Sequence, residues 1–120
     1  MIIPAYKKDF EVEHNLQYNL YLRIGSTDKS CVKEVFKDYQ KMQLENKIVM
    51  DLGGCFGAFC RFALKQKAVH IHTYEPEPKN IPLLEKNLLL DGAKKVTIYQ
   101  KAVIKENTPT VKLYRGGRRG

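Results

Sequence analysis

The stretch KIVMDLGGCFG, residues 47–57, decides how this chain folds. A short apolar run ends in the acid Asp51, and three glycines follow within six positions of it, at Gly53, Gly54 and Gly57. From Gly57 onward the apolar residues recur at helical spacing. Continuous apolar strands are typical of parallel sheets that are covered on both faces. The stretch therefore predicts a strand buried on both faces, a tight glycine turn and a helix.

The same alternation continues towards the C-terminus. The sequence predicts a helix over about 57–67, a second strand over 69–76, a second helix over 80–92 and a third strand over 96–104. Strands and helices that alternate at these lengths form right-handed βαβ units in a parallel sheet. The doubly wound pattern predicts the order third, second, first for these strands. We therefore expect residues 46–120 to form a partial Rossmann-like α/β domain.

The first 45 residues predict a strand and a helix that precede this domain. LQYNLYLRI, residues 16–24, alternates apolar and polar side chains with the period of a strand. GSTD, residues 25–28, is a predicted turn. The segment that begins at Ser30 has the apolar spacing of an amphipathic helix. Asp28 or Ser30 is its expected cap.

The net charge of +8 would suit phosphates, nucleic acid or an anionic membrane surface. The lysines are spread along predicted helix faces, however, and the compact basic cluster is YRGGRRG at residues 114–120, after a short predicted strand over 110–114. RNA-binding surfaces usually interleave aromatic platforms with basic residues, and Tyr114 alone lies near this cluster. Nucleic acid is therefore not the expected partner. A basic nucleic-acid-binding protein is a weaker hypothesis than the two that are developed below.

The three cysteines, Cys31, Cys55 and Cys60, argue against a disulfide framework and a zinc cage, because their number is odd and no CxxC pair occurs. The N-terminus lacks the pattern of a secretory signal, and the apolar stretches are too short to span a membrane. We therefore expect reduced thiols, a cytosolic location and no membrane partner. His70 and His72 suggest a metal pair, but no third ligand stands out, so no metal is expected.

The glycine turn indicates a nucleoside site, because ligands of open α/β sheets bind at the carboxyl ends of the strands. Gly53 and Gly57 can adopt φ angles closed to other residues, which lets the backbone approach a ligand. The N-terminus of the next helix adds N–H groups and a partial positive charge. Glu75 ends the second strand, where an acid can accept hydrogen bonds from two ribose hydroxyls.

The spacing of the glycines selects the kind of nucleoside. Counted from Gly53, the third position is Cys55 and the sixth is Ala58, so the dinucleotide pattern G-x-G-x-x-G is not met. The P-loop pattern G-x-x-x-x-G-K-S/T does not occur. In the remaining pattern, D-x-G-x-x-x-G, Asp51 would repel a pyrophosphate but could pair with an ammonium group. S-adenosylmethionine carries an ammonium, a sulfonium and no phosphate, so this cofactor is favoured.

IVMDLGGCFGAFC and the following TYEPEP resemble the FkbM-type methyltransferases, whose pattern is an apolar strand, D-x-G-x-x-x-G and Y-E-P-x-P. LRIGSTDKSCVKEVFKDYQ is similar to the segment that precedes the glycine motif in that family, and the resemblance covers roughly residues 20–115. It implies S-adenosylmethionine as cofactor and methylation of small-molecule or sugar hydroxyls. The residues that it assigns to the cofactor are Asp51, Gly53, Gly54 and Gly57 at the methionine end, with Cys55 in the same turn, Glu75 at the ribose, Pro76, Lys101 and Ala102 near the adenine, and Asp28 from the N-terminal segment.

The family continues beyond this point with a K-x-D-x-E-G-x-E type segment, which has no counterpart up to Gly120. We therefore expect the cofactor-binding half of a methyltransferase, as a fragment, a truncated gene product or one part of a split protein. The strand over 47–52 is too apolar for an exposed edge and would invite pairing with another chain. No general base can be named, and turnover by this chain stays open. The alternative is a non-catalytic nucleoside-binding or interaction module that pairs with a second copy or a complementing chain.

Overall fold

The computed structural model describes residues 11–89 and 91–104. The elements follow in the order β1 (Val12–Asn15), β2 (Leu20–Arg23), α1 (Asp28–Asp38), β3 (Ile48–Leu52), α2 (Ala58–Lys65), β4 (His70–Tyr74), a 3-10 turn (Pro78–Asn80), α3 (Ile81–Leu89) and β5 (Val96–Tyr99). Every element predicted between residues 47 and 104 is present, with narrower bounds than the pattern indicated. The predicted strand over 110–114 and the basic cluster lie outside the described residues.

Strands β3, β4 and β5 form a parallel sheet in that spatial order, which confirms the predicted order third, second, first. Parallel neighbours need a crossover between them, and α2 and α3 supply it. The register places Asp51 beside Thr73 and Leu52 beside Tyr74. The carboxyl ends of all three strands therefore lie along one edge of the sheet.

Both crossover helices cover the same face of the sheet. Their core consists of Val49, Ile71 and Val96 from the strands with Cys60, Ala63, Leu84 and Leu88 from the helices. On the opposite face the side chains of Ile48, Met50 and Leu52 are more than half exposed. The prediction that this strand is buried on both faces is therefore wrong for the described residues. Two right-handed crossovers that advance in the same direction place both of their helices on one face of a sheet. Within residues 11–89 and 91–104, no element covers the opposite face.

The N-terminal extension is a hairpin and a helix that pack on the crossover helices. β1 and β2 pair antiparallel, and residues 16–19 form the turn between them. The prediction of one strand over 16–24 is therefore wrong at its start, since Leu16 is 85% exposed in this turn. The side chain of Asn15 accepts a hydrogen bond from the backbone N–H of Tyr18, and Asn19 has a φ of 55°. Asparagine supports turns in both of these ways.

The remainder of the predicted alternation does face inwards. Leu20 and Leu22 are buried in a second core that contains Val32 of α1 together with Phe56, Ala58 and Leu83. The extension and the sheet-forming part of the chain therefore share apolar contacts. These contacts set β2 and α1 beside the turn at residues 53–57.

The helix starts differ from the prediction in detail. Thr27 is the N-cap residue of α1 and makes no capping hydrogen bond with its side chain, while Asp28 is already the first helical residue. Ser30 does not cap the helix either, because its hydroxyl donates to the carbonyl of Thr27. Asn80 belongs to the 3-10 turn that precedes α3, and Glu77 caps the start of that turn. Among the helices within the described ranges, none has the length and apolar character needed to cross a bilayer.

Candidate functional site

The glycine turn at residues 53–57 is anchored to the carboxyl end of β4. The N–H groups of Gly53 and Gly54 both donate to the carbonyl of Tyr74, at 2.7 and 3.0 Å. Gly53 and Gly57 have φ angles of 95° and 102°, in the left-handed region that glycine enters without steric cost. Gly57 is also the N-cap residue of α2, so the helix starts directly behind the turn.

At residue 54 there is room only for a glycine. A Cβ atom added at this residue would overlap with the Oγ1 atom of Thr73, which lies directly beneath the backbone. Thr73 is fully buried. The turn thus closes on the side chain of the neighbouring strand, and any residue larger than glycine would push the two apart.

Glu75 lies where the sequence predicted an acid, and it is almost fully buried with 5% exposure. Its Oε1 accepts a hydrogen bond from the backbone N–H of Cys55 at 2.8 Å. Its Oε2 accepts from the backbone N–H of Glu77 at 2.9 Å and from the side-chain amide of Asn80 at 3.2 Å. A carboxylate offers about four lone-pair sites, so two ribose hydroxyls could bind only if at least one of these donors gave way.

Cys55 owes its backbone conformation to this carboxylate. Its φ of 54° lies in the left-handed region, which is uncommon for a residue with a side chain. The hydrogen bond from its N–H to Glu75 stabilises that conformation. Glu75 therefore ties the glycine turn to the loop that follows β4.

Asp51 is the penultimate residue of β3 and is only partly buried. Its Oδ2 accepts hydrogen bonds from the thiol of Cys60 and the hydroxyl of Thr73, both at 3.1 Å. Within the described ranges no side-chain or backbone donor reaches its Oδ1. Burial raises the pKa of Asp51 above its ordinary value, although the two hydrogen bonds lower it, and the negative charge of Glu75 adds to the rise. One oxygen of this carboxylate is thus fixed by the protein, and the other can accept a donor from a ligand.

Arg23 connects the N-terminal extension to this region. Its Nε and Nη2 donate to the two carboxylate oxygens of Asp28, at 2.8 and 3.0 Å, and its Nη1 donates to Oδ1 of Asn80 at 3.0 Å. Burial lowers the pKa of Arg23, but the hydrogen bonds and charge of Asp28 outweigh this, and the pKa lies above its ordinary value. The amide group of Asn80 then presents its Nδ2 to Glu75. The chain Asp28–Arg23–Asn80–Glu75 therefore joins α1 to the loop after β4.

The structure brings most of the predicted residues to one edge, with a different role for Asp28. This carboxylate is buried and bound to Arg23 through both oxygens, so it reaches the turn only through Arg23 and Asn80. Pro76 directly follows Glu75 and is half-buried. Lys101 and Ala102 follow β5 at the same edge of the sheet, where the N–H of Lys101 donates to the carbonyl of Tyr99 at 2.9 Å.

Sequence reasoning did not identify Arg23, Thr73, Cys60 or Asn80 as members of the site. Thr73 could have been found from the parallel register, which sets the residue two positions before Glu75 beside Asp51. Cys60 lies nine residues after Asp51. It could have been found from helical periodicity, because it lies on the face of the predicted helix that packs against the strand. Arg23 and Asn80 are 57 positions apart, and no local pattern relates them.

His70 and His72 lie on the sheet face that the crossover helices leave open. His70 is hydrogen-bonded to Thr97 at 2.7 Å, and His72 to Tyr99 at 3.0 Å. Within residues 11–89 and 91–104, no three His, Cys, Asp or Glu side chains come together in a way that could hold a metal ion. The two histidines are therefore engaged with the neighbouring strand.

Comparison with known proteins identifies the fold. No protein-family model matches the sequence, and no curated protein matches it. Among solved structures, TYW2 of Pyrococcus horikoshii in complex with MeSAdo is similar, with a TM-score of 0.59 and 18% identity over 78% of this chain. YhhF of Escherichia coli, described as a methyltransferase, has a TM-score of 0.53 and 18% identity over 70% of this chain.

A protein of Listeria monocytogenes, described as an S-adenosylmethionine-dependent methyltransferase, is also similar, with a TM-score of 0.50 and 22% identity over 58% of this chain. The matched parts are 36%, 47% and 32% of these three structures, so the chain spans less than half of the length of each. The similarity shows that the described chain has a partial Rossmann-like fold of the class I methyltransferase type.

Proposed function

We propose that this chain binds S-adenosylmethionine at the turn of residues 51–57 and is the cofactor-binding half of a methyltransferase. The observation that carries the proposal is the carboxylate of Asp51, which lies beside a glycine turn at the carboxyl edge of a parallel sheet. One of its oxygens is held by the protein, and the other receives no donor from the described part of the chain. Solved structures that share this fold are described as methyltransferases, and one contains MeSAdo. These descriptions support the proposal.

The residues at the turn suit this cofactor in charge and in space. Asp51 and Glu75 are two carboxylates near each other, which disfavours a phosphate and favours a cation. The open oxygen of Asp51 suits the ammonium group of the methionine part. Gly53, Gly54 and Gly57, with the backbone of Cys55, border the turn without large side chains.

Glu75 is our candidate for the ribose hydroxyls, with an added condition. Since three N–H groups of the protein already reach its carboxylate, ribose binding would have to displace at least one of them. The side-chain amide of Asn80, at 3.2 Å, forms the longest of these hydrogen bonds and is the one that we expect to move. Pro76, Lys101 and Ala102 remain the candidates for the surroundings of the adenine. Asp28 would act on this site through Arg23 and Asn80.

The finer assignment is to the FkbM type, with O-methyl transfer to the hydroxyl of a small molecule or sugar. It depends on the similarity of residues 51–57 and of Tyr74–Pro78 to that family's motifs. The bound cofactor supplies an activated methyl group on its sulfonium. The chain's own contribution would be to hold the cofactor in a fixed orientation towards the acceptor. No described side chain is assigned as the general base. The odd number of cysteines and the absence of a CxxC pair in the sequence support the cytosol as the proposed compartment.

Titration calorimetry of the full 120-residue chain with S-adenosylhomocysteine tests the proposal. We expect binding that weakens by about tenfold or more in Asp51→Asn, because a hydrogen bond to a charged group is lost. Glu75→Gln should weaken it as well. Asp38→Asn is the matched control, since it removes an exposed acid from the far end of α1. A folded chain that does not bind the nucleoside would contradict the proposal.

A second candidate function is a non-catalytic module that binds the nucleoside and pairs with a second copy or a complementing chain. The observation that favours it is the open face of β3, where Ile48 is 71% exposed and Met50 is 63% exposed. Exposed apolar patches of this kind are typical of interaction surfaces. Nucleoside binding without methyl transfer to any hydroxyl acceptor, together with a change of oligomeric state in Met50→Lys, would support this module over the enzyme.

A further inference from the structure

Two buried donors from different elements converge on one oxygen of Asp51. Thr73 lies on β4 and Cys60 on α2, and both are fully buried. The hydroxyl of Thr73 and the thiol of Cys60 donate to the same Oδ2 atom, each at 3.1 Å. A carboxylate that is held from a neighbouring strand and from a helix loses its freedom to rotate.

The position of each donor follows from the fold. Thr73 is the register partner of Asp51 in the parallel pair β3–β4, and Gly54 closes over its hydroxyl so tightly that no Cβ atom would fit there. Cys60 is in the first turn of α2, which packs on β3 and β4. Burial and the nearby charge of Asp51 raise the pKa of Cys60 well above its ordinary value, so the thiol stays protonated and can donate.

The two donors leave Oδ1 of Asp51 without a partner from the part of the chain that the structure describes. Glu75, beyond the end of β4, adds a negative charge near this carboxylate. Arg61 on α2, whose charge acts on the neighbouring Cys60, is bound to Asp91. Arg23 is likewise bound to Asp28. Both arginines are therefore paired with other acids, and within residues 11–89 and 91–104 no basic side chain forms an ion pair with Oδ1.

We propose that Thr73 and Cys60 are positioning residues, which hold the carboxylate of Asp51 so that its Oδ1 accepts the ammonium group of the cofactor. This inference rests on the proposed function and adds to it the residues that orient the acid. It assigns a role in binding to two buried side chains that would otherwise count only as packing. The role is specific to the amino-acid part of the ligand and does not extend to the nucleoside part.

A pair of ligands separates positioning from packing. S-adenosylhomocysteine carries the ammonium group, whereas 5′-methylthioadenosine has the same adenine, ribose and sulfur but no amino-acid part. Calorimetry with Thr73→Val should show weaker binding of S-adenosylhomocysteine, by about three- to tenfold, because one hydrogen bond to the carboxylate is lost. Binding of 5′-methylthioadenosine should be unchanged. Thr73→Ser retains the hydroxyl and should restore the wild-type affinity.

Cys60→Ala provides the second measurement, from a different element. It should weaken the binding of S-adenosylhomocysteine without affecting that of 5′-methylthioadenosine, and Cys60→Ser should restore the binding. The test therefore remains valid if Thr73→Val does not fold. Equal weakening of both ligands in both variants would overturn the inference, since that result indicates packing alone. So would unchanged binding of S-adenosylhomocysteine in folded variants while Asp51→Asn weakens it. Failure of the wild-type chain to bind either ligand would instead overturn the proposed function.

Discussion

Two acids lie at the carboxyl ends of neighbouring parallel strands, and their surroundings differ: Asp51 is the penultimate residue of β3, and Glu75 directly follows β4. Glu75 is 5% exposed, and both of its oxygens accept hydrogen bonds from backbone or amide N–H groups. Asp51 is more exposed, and among the residues that the structure describes a thiol and a hydroxyl donate to its Oδ2 while none donates to its Oδ1. The first acid holds two loops together, while the second retains an open oxygen. The hydrogen-bond donors around an acid, more than its position near a strand end, therefore decide whether it can bind a ligand.

The largest effect expected from this comparison is on stability, in Glu75→Ala. The substitution removes the acceptor of the N–H groups of Cys55 and Glu77 and of the Asn80 amide. We expect the free energy of unfolding to fall by about 3 kcal/mol, because buried donors are left without acceptors. Urea denaturation measures this, with Glu34→Ala on the exposed face of α1 as control. A loss no larger than that of the control would show that Glu75 does not hold the loops.

The next largest effect is expected in Gly54→Ala. The added methyl group meets the Oγ1 atom of Thr73, and the free energy of unfolding should fall by about 2 kcal/mol through overpacking. In a Thr73→Ala background, Gly54→Ala should lower the free energy of unfolding clearly less, since the Thr73 hydroxyl is absent. Thermal denaturation of the four proteins in this double-mutant cycle measures the coupling. Additive losses would mean that Gly54 and Thr73 do not compete for this space.

A smaller effect is expected in Asn80→Ala, which cuts the link between Arg23 and Glu75. We expect a loss of about 1–2 kcal/mol in the free energy of unfolding, because two hydrogen bonds to charged groups disappear. Hydrogen exchange at the backbone N–H of Cys55 should become faster, since its acceptor is held less firmly. Ser30→Ala, at an exposed position of α1, is the control. Unchanged exchange at Cys55 would show that Asn80 does not restrain Glu75.

The smallest effect concerns the pH dependence of the free energy of unfolding that is due to Asp51. Burial raises its pKa above the ordinary value of 3.8, so the folded state binds the proton more tightly than the unfolded state. The contribution of this group to stability should therefore fall as the pH rises from that value through the folded pKa, and then stay constant. Asp51→Asn lacks this dependence and should gain stability relative to the wild type over the same interval. Parallel thermal melts of the two proteins at increasing pH would reveal the difference, and identical pH profiles would contradict it.

Much of the fold could be predicted from short stretches of sequence. The apolar run before Asp51, the glycines after it and the acid at Glu75 follow local rules for strands, turns and ligand edges, and the structure has them in the expected order. The hairpin turn at residues 16–19 was missed, because the period-two pattern continues through it while Asn15 and Asn19 support a turn. Local patterns are reliable only where one preference dominates.

The open face of β3 could not be predicted from its residues. A continuous apolar run indicates coverage on both faces, and Val49 is indeed buried while its neighbours Ile48 and Met50 are exposed. The sequence of a strand shows which of its side chains are apolar enough to be buried. Whether they are buried depends on which helices the rest of the chain packs against each face of the sheet. Side chains of α2 and α3 both pack on the face that carries Val49 and Ile71, so the described residues cover one face only.

Local sequence patterns are sufficient to predict the parallel order of the strands, the position of the glycine turn and the two acids at the carboxyl ends of the strands. The role of each acid depends on long-range contacts, since Asp51 and Glu75 find their hydrogen-bond partners on other elements. Thr73 reaches Asp51 through strand register, Cys60 through helix packing, and Arg23 reaches Asn80 across 57 positions of chain. Hydrogen bonds act over about 3 Å in space, and no local pattern encodes which distant residues come within that distance.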